Sequence, residues 1–187
     1  TPALNDDSAV TVSYVVTDGS LSVAGSATLD ITPVNDAPTT SVVTLSPIAE
    51  DSGTRLITQA ELLANAVDVD GPSLTATGLV ISSGNGSLID NGDGTWTYTP
   101  ALNDDSSASF SYTVTDGSLS ASGSATLDIT PVNDAPTTSV VTLSPIAEDS
   151  GARLIRQAEL LANASDVDGP SLTAIDLVIS SGAGSLV

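Results

Sequence analysis

The chain has no cysteine, histidine, methionine or lysine, and its 187 residues carry only 3 basic side chains against 23 acids. Each absence removes a class of chemistry. Without thiol, imidazole or amine there is no conventional nucleophile–base pair and no Schiff base, so no enzymatic activity is expected. Zinc, iron and copper sites built from His or Cys are excluded with them. Hard cations held by oxygen are the metals left to such a chain. A formal net charge of −20 repels nucleic acid and anionic membrane surfaces, so neither is an expected partner. No apolar run approaches the roughly 18 residues of a membrane span, so no membrane insertion is expected. With no initiating Met and no signal segment, the chain reads as a section of a longer polypeptide. A composition biased to Thr, Ser, Val, Gly and Asp fits a secreted β-rich module, here without any disulfide framework.

Aspartate is abundant, and its placement is informative. Of 19 Asp residues, 14 fall in five loop motifs that each occur twice, so the charge is gathered at points that need counter-ions. The duplication is general. Residues 1–89 match residues 99–187 without a gap, at a period of 98 and with 14 differences. That period is too long for a solenoid and fits one small domain per repeat.

The seams are two copies of one linker, PVNDAP, at residues 33–38 and 131–136. Its paired prolines remove two ladder donors and fix φ, so it should end the preceding strand and act as a stiff, extended connector. Cutting there gives residues 1–36 as the back portion of one domain, 37–134 as a whole domain, and 135–187 as the front portion of the next.

Within the whole domain, alternating apolar and polar runs predict strands at residues 40–45, 54–58, 74–82, 86–89, 95–99, 108–114 and 120–130. The first should stop at Ser46–Pro47, and about one helical turn is expected in 59–65. Asn91–Gly92–Asp93–Gly94 has the residues of a hairpin turn with positive φ. Seven short strands in about 98 residues mean an all-β fold, a tandem of Ig-like Greek-key β-sandwich domains. Trp96, Tyr98, Phe110 and Tyr112 are the expected aromatic core. Tyr112, and Tyr14 at the matching position, either pack there or form a tyrosine-corner hydrogen bond.

In such a sandwich the turns after the first, third and fifth strands share one pole, and those after the second, fourth and sixth share the other. Each seam therefore collects acids from the domain before it, the linker, and the domain after it. At the second seam the set is Glu50, Asp51, Asn103, Asp104, Asp105, Asn133, Asp134, Asp166 and Asp168. At the first it is Asn5, Asp6, Asp7, Asn35, Asp36, Asp68 and Asp70, with Asp116 at the same pole of the middle domain. Calcium takes six to eight oxygens in flexible geometry and suits this surplus of carboxylates, whereas Mg²⁺ wants few protein ligands and a strict octahedron.

The ordered series AEDSG, ELLAN, DVDG, NGDGTWTYTP, ALNDDS, SYTVTDGS and ITPVNDAP resembles the cadherin-like, bacterial Ig-like tandem repeats of the VCBS and tandem-95 type. These occur in giant RTX-type adhesins on the surface of Gram-negative bacteria. The resemblance spans the chain. It implies an extracellular, calcium-bound stalk repeat that projects a distal ligand-binding domain. It also implies interdomain calcium ligands at Glu50, Asn103, Asp105, Asn133, Asp134, Asp166 and Asp168. The chain departs from cadherins in reading Asn-Asp-Asp where they have Asp-Arg-Glu, and in a shorter acidic linker.

The implied partners are neighbouring repeats of the same polypeptide. A module that binds glycan or protein directly is the alternative, but all five aromatic residues fall at strand positions. A carboxylate-only glycosidase using Asp104 and Asp105 would need a cleft that splits their pKa values, which adjacent acids in a solvated turn do not provide. Asn85–Gly86–Ser87 and Asn163–Ala164–Ser165 fit the glycosylation pattern, each in one copy only. Residues 1–36 should offer two strands and residues 135–187 four, each with an apolar face and open edges. A further expectation is end-to-end self-association, one chain's tail completing another's head in a propagating fibre.

Overall fold

The computed structural model describes every residue except Pro72 and Pro170. It forms two compact units, Thr1–Thr130 and Pro131–Val187. In the first unit, β1 (Val10–Thr17) and β2 (Ser22–Leu29) make a two-stranded antiparallel hairpin. After the linker come β3 (Val43–Ala49), β4 (Arg55–Thr58), the helical turn α1 (Gln59–Leu62), β5 (Thr75–Ser83), β6 (Ser87–Asp90), β7 (Thr95–Thr99), β8 (Ala108–Thr115) and β9 (Ser120–Thr130). They form a four-stranded sheet, β3-β9-β8-β5, and a three-stranded sheet, β4-β7-β6. All pairs are antiparallel except β3 with β9, which is parallel.

The alternation in the sequence explains this packing. Ala108, Phe110, Tyr112 and Val114 of β8 and Ala125, Leu127 and Ile129 of β9 are buried, while the residues between them are exposed or half-buried. From the other sheet Ile57, Trp96 and Tyr98 close the core, with Leu62 from α1. Tyr98 and Phe110 meet edge to face, centroids 5.2 Å apart at 89°, the arrangement the ring quadrupoles favour. The expected aromatic core is thus the observed one. Tyr112 packs in the core as expected, but its hydroxyl forms no tyrosine corner and donates instead to the Leu62 carbonyl at the end of α1.

α1 is short but well capped. The Thr58 hydroxyl accepts from Glu61 N, and Glu61 Oε2 accepts from Thr58 N at 2.9 Å, a reciprocal capping box. Glu61 is also paired with Arg55, 2.6 Å away. The Gln59 amide then seats the turn on β5, donating to Ala76 O at 2.6 Å and accepting from Ala76 N at 2.7 Å. The side chain takes the place of a missing strand partner.

The first strand of the whole domain corrects the sequence expectation. It does not stop at Ser46–Pro47 but continues through Pro47 to Ala49, with a register shift between Leu45 and Ile48. As an edge strand it loses no ladder bond on its open side, and the irregularity absorbs the missing N–H.

In the second unit the four strands expected for residues 135–187 do not form among the described residues. The unit holds the helical turn α2 (Gln157–Leu160) and an isolated bridge, Thr137 to Ser165. The middle domain supplies the reason. There β3, β4, β5 and β6 pair with β9, β7, β8 and β7, all from the later half of the repeat, whereas residues 135–187 match only residues 37–89. The β1–β2 hairpin needs no distant partner, so it forms, but its inner face is open: Tyr14 is 50 % exposed where Tyr112 is 4 %.

Candidate functional site

The linker at residues 33–38 sits against two loops of the domain that follows it. Just past it, Thr39 and Val67 exchange backbone hydrogen bonds at 2.8 and 2.9 Å. Asp36 N donates to Asp70 Oδ2 at 2.6 Å, and Asn35 Nδ2 donates to Asp116 Oδ2 at 2.7 Å. Asp70 belongs to the loop between α1 and β5, and Asp116 to the β8–β9 turn. Both lie at the pole where the turn rule places them.

Each acid here has a defined setting. Asp116 Oδ1 accepts from Ser118 N and Leu119 N at 2.6 and 2.7 Å. The Asn35 amide, then the Leu119 and Ser118 N–H groups, hold its carboxyl below the usual aspartate value. Asp68 Oδ1 accepts from Asp70 N at 2.9 Å, while Asp68 Oδ2 is buried with no hydrogen-bond partner. A buried carboxylate oxygen left unpaired is costly unless something positive satisfies it.

From the preceding repeat, Asn5, Asp6 and Asp7 face the same place. Asn5 adopts φ 55°, a left-handed conformation that Asn tolerates better than most side chains. Asp6 accepts from the Ser8 hydroxyl and from Ser8 N, and these two donors lower its pKa. A cleft of about 930 Å³ is lined by Asn5, Asp6, Asp7, Asp36 and Asp70, with Leu4, Val34 and Val69 on its apolar rim. An adjoining hollow of about 480 Å³ is lined by Asn5, Asp36 and Asp68. Six of the eight residues expected here thus border one or other of two hollows that share Asn5, Asp36 and Val69 in their walls, while Asn35 and Asp116 bond to each other.

The opposite pole of the middle domain carries Glu50, Asp51, Asn103, Asp104 and Asp105. Asp51 Oδ1 accepts from Asn103 N at 3.1 Å, so the β3–β4 and β7–β8 loops meet. Asp51 and Asn103 both have left-handed backbones, φ 56° and 54°. Glu50 is the only buried acidic or polar residue among those described, 4 % exposed, and its N–H donates to Thr130 O at 2.9 Å. Asp105 is exposed. Asp104 accepts from the Ser106 hydroxyl, from Asn85 Nδ2 at 2.5 Å and from Ser106 N at 2.9 Å, and those three lower its pKa.

Asn85 is a residue the sequence reading left out of the site. It appeared only as a glycosylation pattern, although the β5–β6 turn lies at the same pole as Asp104. Its carbonyl also accepts the Tyr98 hydroxyl at 2.5 Å.

Within the second unit, Asp134 N donates to Asp168 Oδ2 at 2.5 Å, Asp168 N to Asp166 Oδ1 at 3.0 Å, and Asn133 Nδ2 to Asp134 O at 2.9 Å. The first two bonds match those of Asp36, Asp70 and Asp68. Among the described residues, no three acidic side chains stand close enough together to hold a metal ion unaided.

A family model described as cadherin-like domain matches residues 34–130 and again 132–187. No curated protein sequence matches. Among solved structures, the chain is similar to the endo-fucoidan hydrolase MfFcnA4 of glycoside hydrolase family 107, at 20 % identity and TM-score 0.35 over 71 % of this chain and 20 % of that one. A second, MfFcnA9 of the same family, gives 21 % identity and TM-score 0.33 over 68 % and 23 %. A chimeric titin Z1Z2 carrying a peptide from decorin gives 14 % identity and TM-score 0.26 over 68 % and 65 %. The chain spans about a fifth of the length of the hydrolases it matches.

Proposed function

Because the chain belongs to the cadherin-like domain family, whose members are adhesion-type extracellular modules, we propose that it is a calcium-stiffened stalk repeat of a large bacterial surface adhesin. In this reading its partners are the neighbouring repeats of the same polypeptide, and it carries no catalytic centre. The observation that carries the proposal is the first seam. There Asn5, Asp6 and Asp7 of one repeat, Asp36 of the linker and Asp68 and Asp70 of the next border two hollows with Asn5 and Asp36 in both walls, and Asp68 Oδ2 is buried without a partner.

The donor set fits a hard cation. It offers oxygen only, from carboxylates, Asn amides and backbone carbonyls, and calcium accepts six to eight such ligands without rigid geometry. Asn5, Asp6, Asp7, Asp36, Asp68 and Asp70 would hold it once drawn together, since among the described residues no three acids yet stand close enough to do so. Bound there, the ion neutralises acids from both repeats and ties them together. The residues themselves set the frame, with the left-handed Asn5 turning its loop toward the seam and the Asp68–Asp70 turn presenting the unpaired oxygen.

One member of the Asp104–Asp105 pair is poorly set to act as a general acid. A general acid needs a raised pKa, whereas Asp104, the notional glycosidase acid, is lowered by its Ser106 and Asn85 donors.

Calorimetric titration of the chain with calcium tests the proposal. Saturation is expected in the range of about 10⁻⁴–10⁻³ M typical of extracellular modules, together with a fall in Tm when EDTA is added. A chain that takes up no calcium and melts identically with and without EDTA would sink it.

A further inference from the structure

We propose that Asn85–Gly86 is a site of spontaneous covalent modification, the one Asn-Gly pair of this chain that the fold leaves open to deamidation. Only Asn85 and Asn91 are followed by glycine. A glycine there has no Cβ to hinder attack by its backbone nitrogen on the preceding side-chain amide, and it reaches conformations closed to other residues. In the reaction Gly86 N gives up its proton to solvent and bonds to Asn85 Cγ, the Cγ–Nδ2 bond breaks, and ammonia leaves with a proton taken from water. Water then opens the five-membered imide. Breaking the bond from the imide nitrogen to Cγ leaves aspartate, and breaking the one to the former main-chain carbonyl leaves isoaspartate, with the chain now running through Cγ.

The fold treats the two pairs differently. Gly92 N donates to Asp90 Oδ1 at 2.8 Å, so a carboxylate holds the proton that the nucleophile must lose, and its negative charge opposes that loss. The Asn91 side chain is fixed as well. Its Nδ2 donates to the Thr95 and Thr97 hydroxyls at 2.9 and 3.1 Å, and its backbone N–H donates to Thr95 O at 3.0 Å. Asn85 and Gly86, by contrast, lie exposed in the β5–β6 turn, Gly86 with φ 130°. Among the described residues no protein group accepts from Gly86 N. The side chain of Asn85 has one restraint, Nδ2 to Asp104 Oδ2 at 2.5 Å, and that bond is exposed to competing water.

The position gives the modification consequences. The Asn85 donor becomes a carboxylate facing Asp104, which loses one of the bonds that favour its charge and gains a like charge instead. Isoaspartate also lengthens the main chain beside a tight contact. A Cβ on Gly86 would come within 2.5 Å of Thr99 O, and the Asn85 carbonyl accepts the Tyr98 hydroxyl at 2.5 Å. The turn has to shift to take the extra atom. Ala183 stands at the matching place in the other copy, so consecutive repeats age unequally, one gaining negative charge at the pole that carries Asp51 and Asn103 while the next stays as made.

The test follows both asparagines in the full chain. It is incubated at mildly alkaline pH with EDTA, either folded or unfolded in urea, and then digested with pepsin in acid, where the reaction is slow. Mass spectrometry reads the amide-to-carboxylate change at residues 85 and 91, and reverse-phase separation resolves the isoaspartyl form. Each asparagine is compared with its own rate in urea. Folding is expected to slow Asn91 several-fold more than Asn85, with Asn85 still converting in the folded chain. Asp90→Ala, which frees Gly92 N, should speed Asn91 several-fold and leave Asn85 unchanged, which separates release of that nitrogen from unfolding. Equal slowing of the two on folding, an Asn85 that converts only in urea, or an Asn91 indifferent to Asp90→Ala overturns the inference. With EDTA present throughout, the outcome is independent of calcium uptake.

Discussion

The phenolic hydroxyl of Tyr112 donates a 2.7 Å hydrogen bond to the carbonyl of Leu62, 50 residues earlier in the chain. The bond joins β8 to the end of α1 through the core, and Tyr112 is only 4 % exposed. Removing the hydroxyl leaves a buried carbonyl without its donor, which typically costs about 1–3 kcal/mol. Tyr112→Phe is therefore expected to lower the unfolding free energy of the middle domain by about that amount, as read by urea denaturation.

The same ring lies over a glycine on the neighbouring strand. Tyr112 pairs with Gly123 in register, and a Cβ on Gly123 would come within 2.4 Å of the ring. Gly25 and Tyr14 repeat the relationship at 2.7 Å. Gly123→Ala must push the ring aside, and overpacking of this kind costs about 1–3 kcal/mol. A lowered Tm is expected, and combining Gly123→Ala with Tyr112→Phe should cost less than the sum of the two. Strict additivity in a double-mutant cycle would contradict the coupling.

Core and seam should separate cleanly. Phe110 is fully buried, so Phe110→Ala is expected to cost about 3–5 kcal/mol and to leave little folded middle domain. Asp134→Ala lies outside the core and should weaken calcium uptake without shifting the middle domain's own transition. Collapse of the whole domain on Asp134→Ala would contradict this division.

Acid should act through Glu61. Burial opposes its ionisation, but hydrogen bonds from the Arg55 guanidinium, Thr58 N–H and the Thr58 hydroxyl outweigh that and hold its pKa below the usual glutamate value. A depressed native pKa stabilises the fold above the unfolded value of about 4.3, and the contribution is lost as pH falls through the native value. Glu61→Gln should be less stable than the parent at pH 7, and the gap should narrow as pH falls below the unfolded glutamate value and through the lower native one. Parallel stability curves across that range would show that Glu61 is not responsible.

Much of this fold was legible in local pattern. Alternation of Phe110, Tyr112 and Val114 with serine and threonine located β8, and the Asn91–Gly94 run located the β6–β7 turn. What local pattern missed depends on distant partners. Pro47 reads as a strand end unless the strand is known to lie at a sheet edge, and residues 135–187 read as strands although their ladder partners belong to the later half of a repeat. At the first seam, turn parity put Asp70 and Asp116 at the linker's pole, where they bond Asp36 and Asn35. Parity could not reveal that Asn35 and Asp116 bond to each other, nor that Asn85 reaches Asp104, because amide orientation is set by tertiary contact and not by spacing.

One consequence follows from the parallel pairing of β3 with β9. β3 begins just after one linker and β9 runs directly into the next, with Val43 beside Ala125 and Ala49 beside Thr130. A pull along the polypeptide drags β3 backward and β9 forward, so the strands slide past each other along their length. Their hydrogen bonds are then strained together in shear instead of being peeled one at a time. Single-molecule stretching through the two linkers should need a markedly higher rupture force than stretching through points on β5 and β8, antiparallel neighbours that can be unzipped from one end. A stalk of such domains would transmit tension by its weave before any ion is counted.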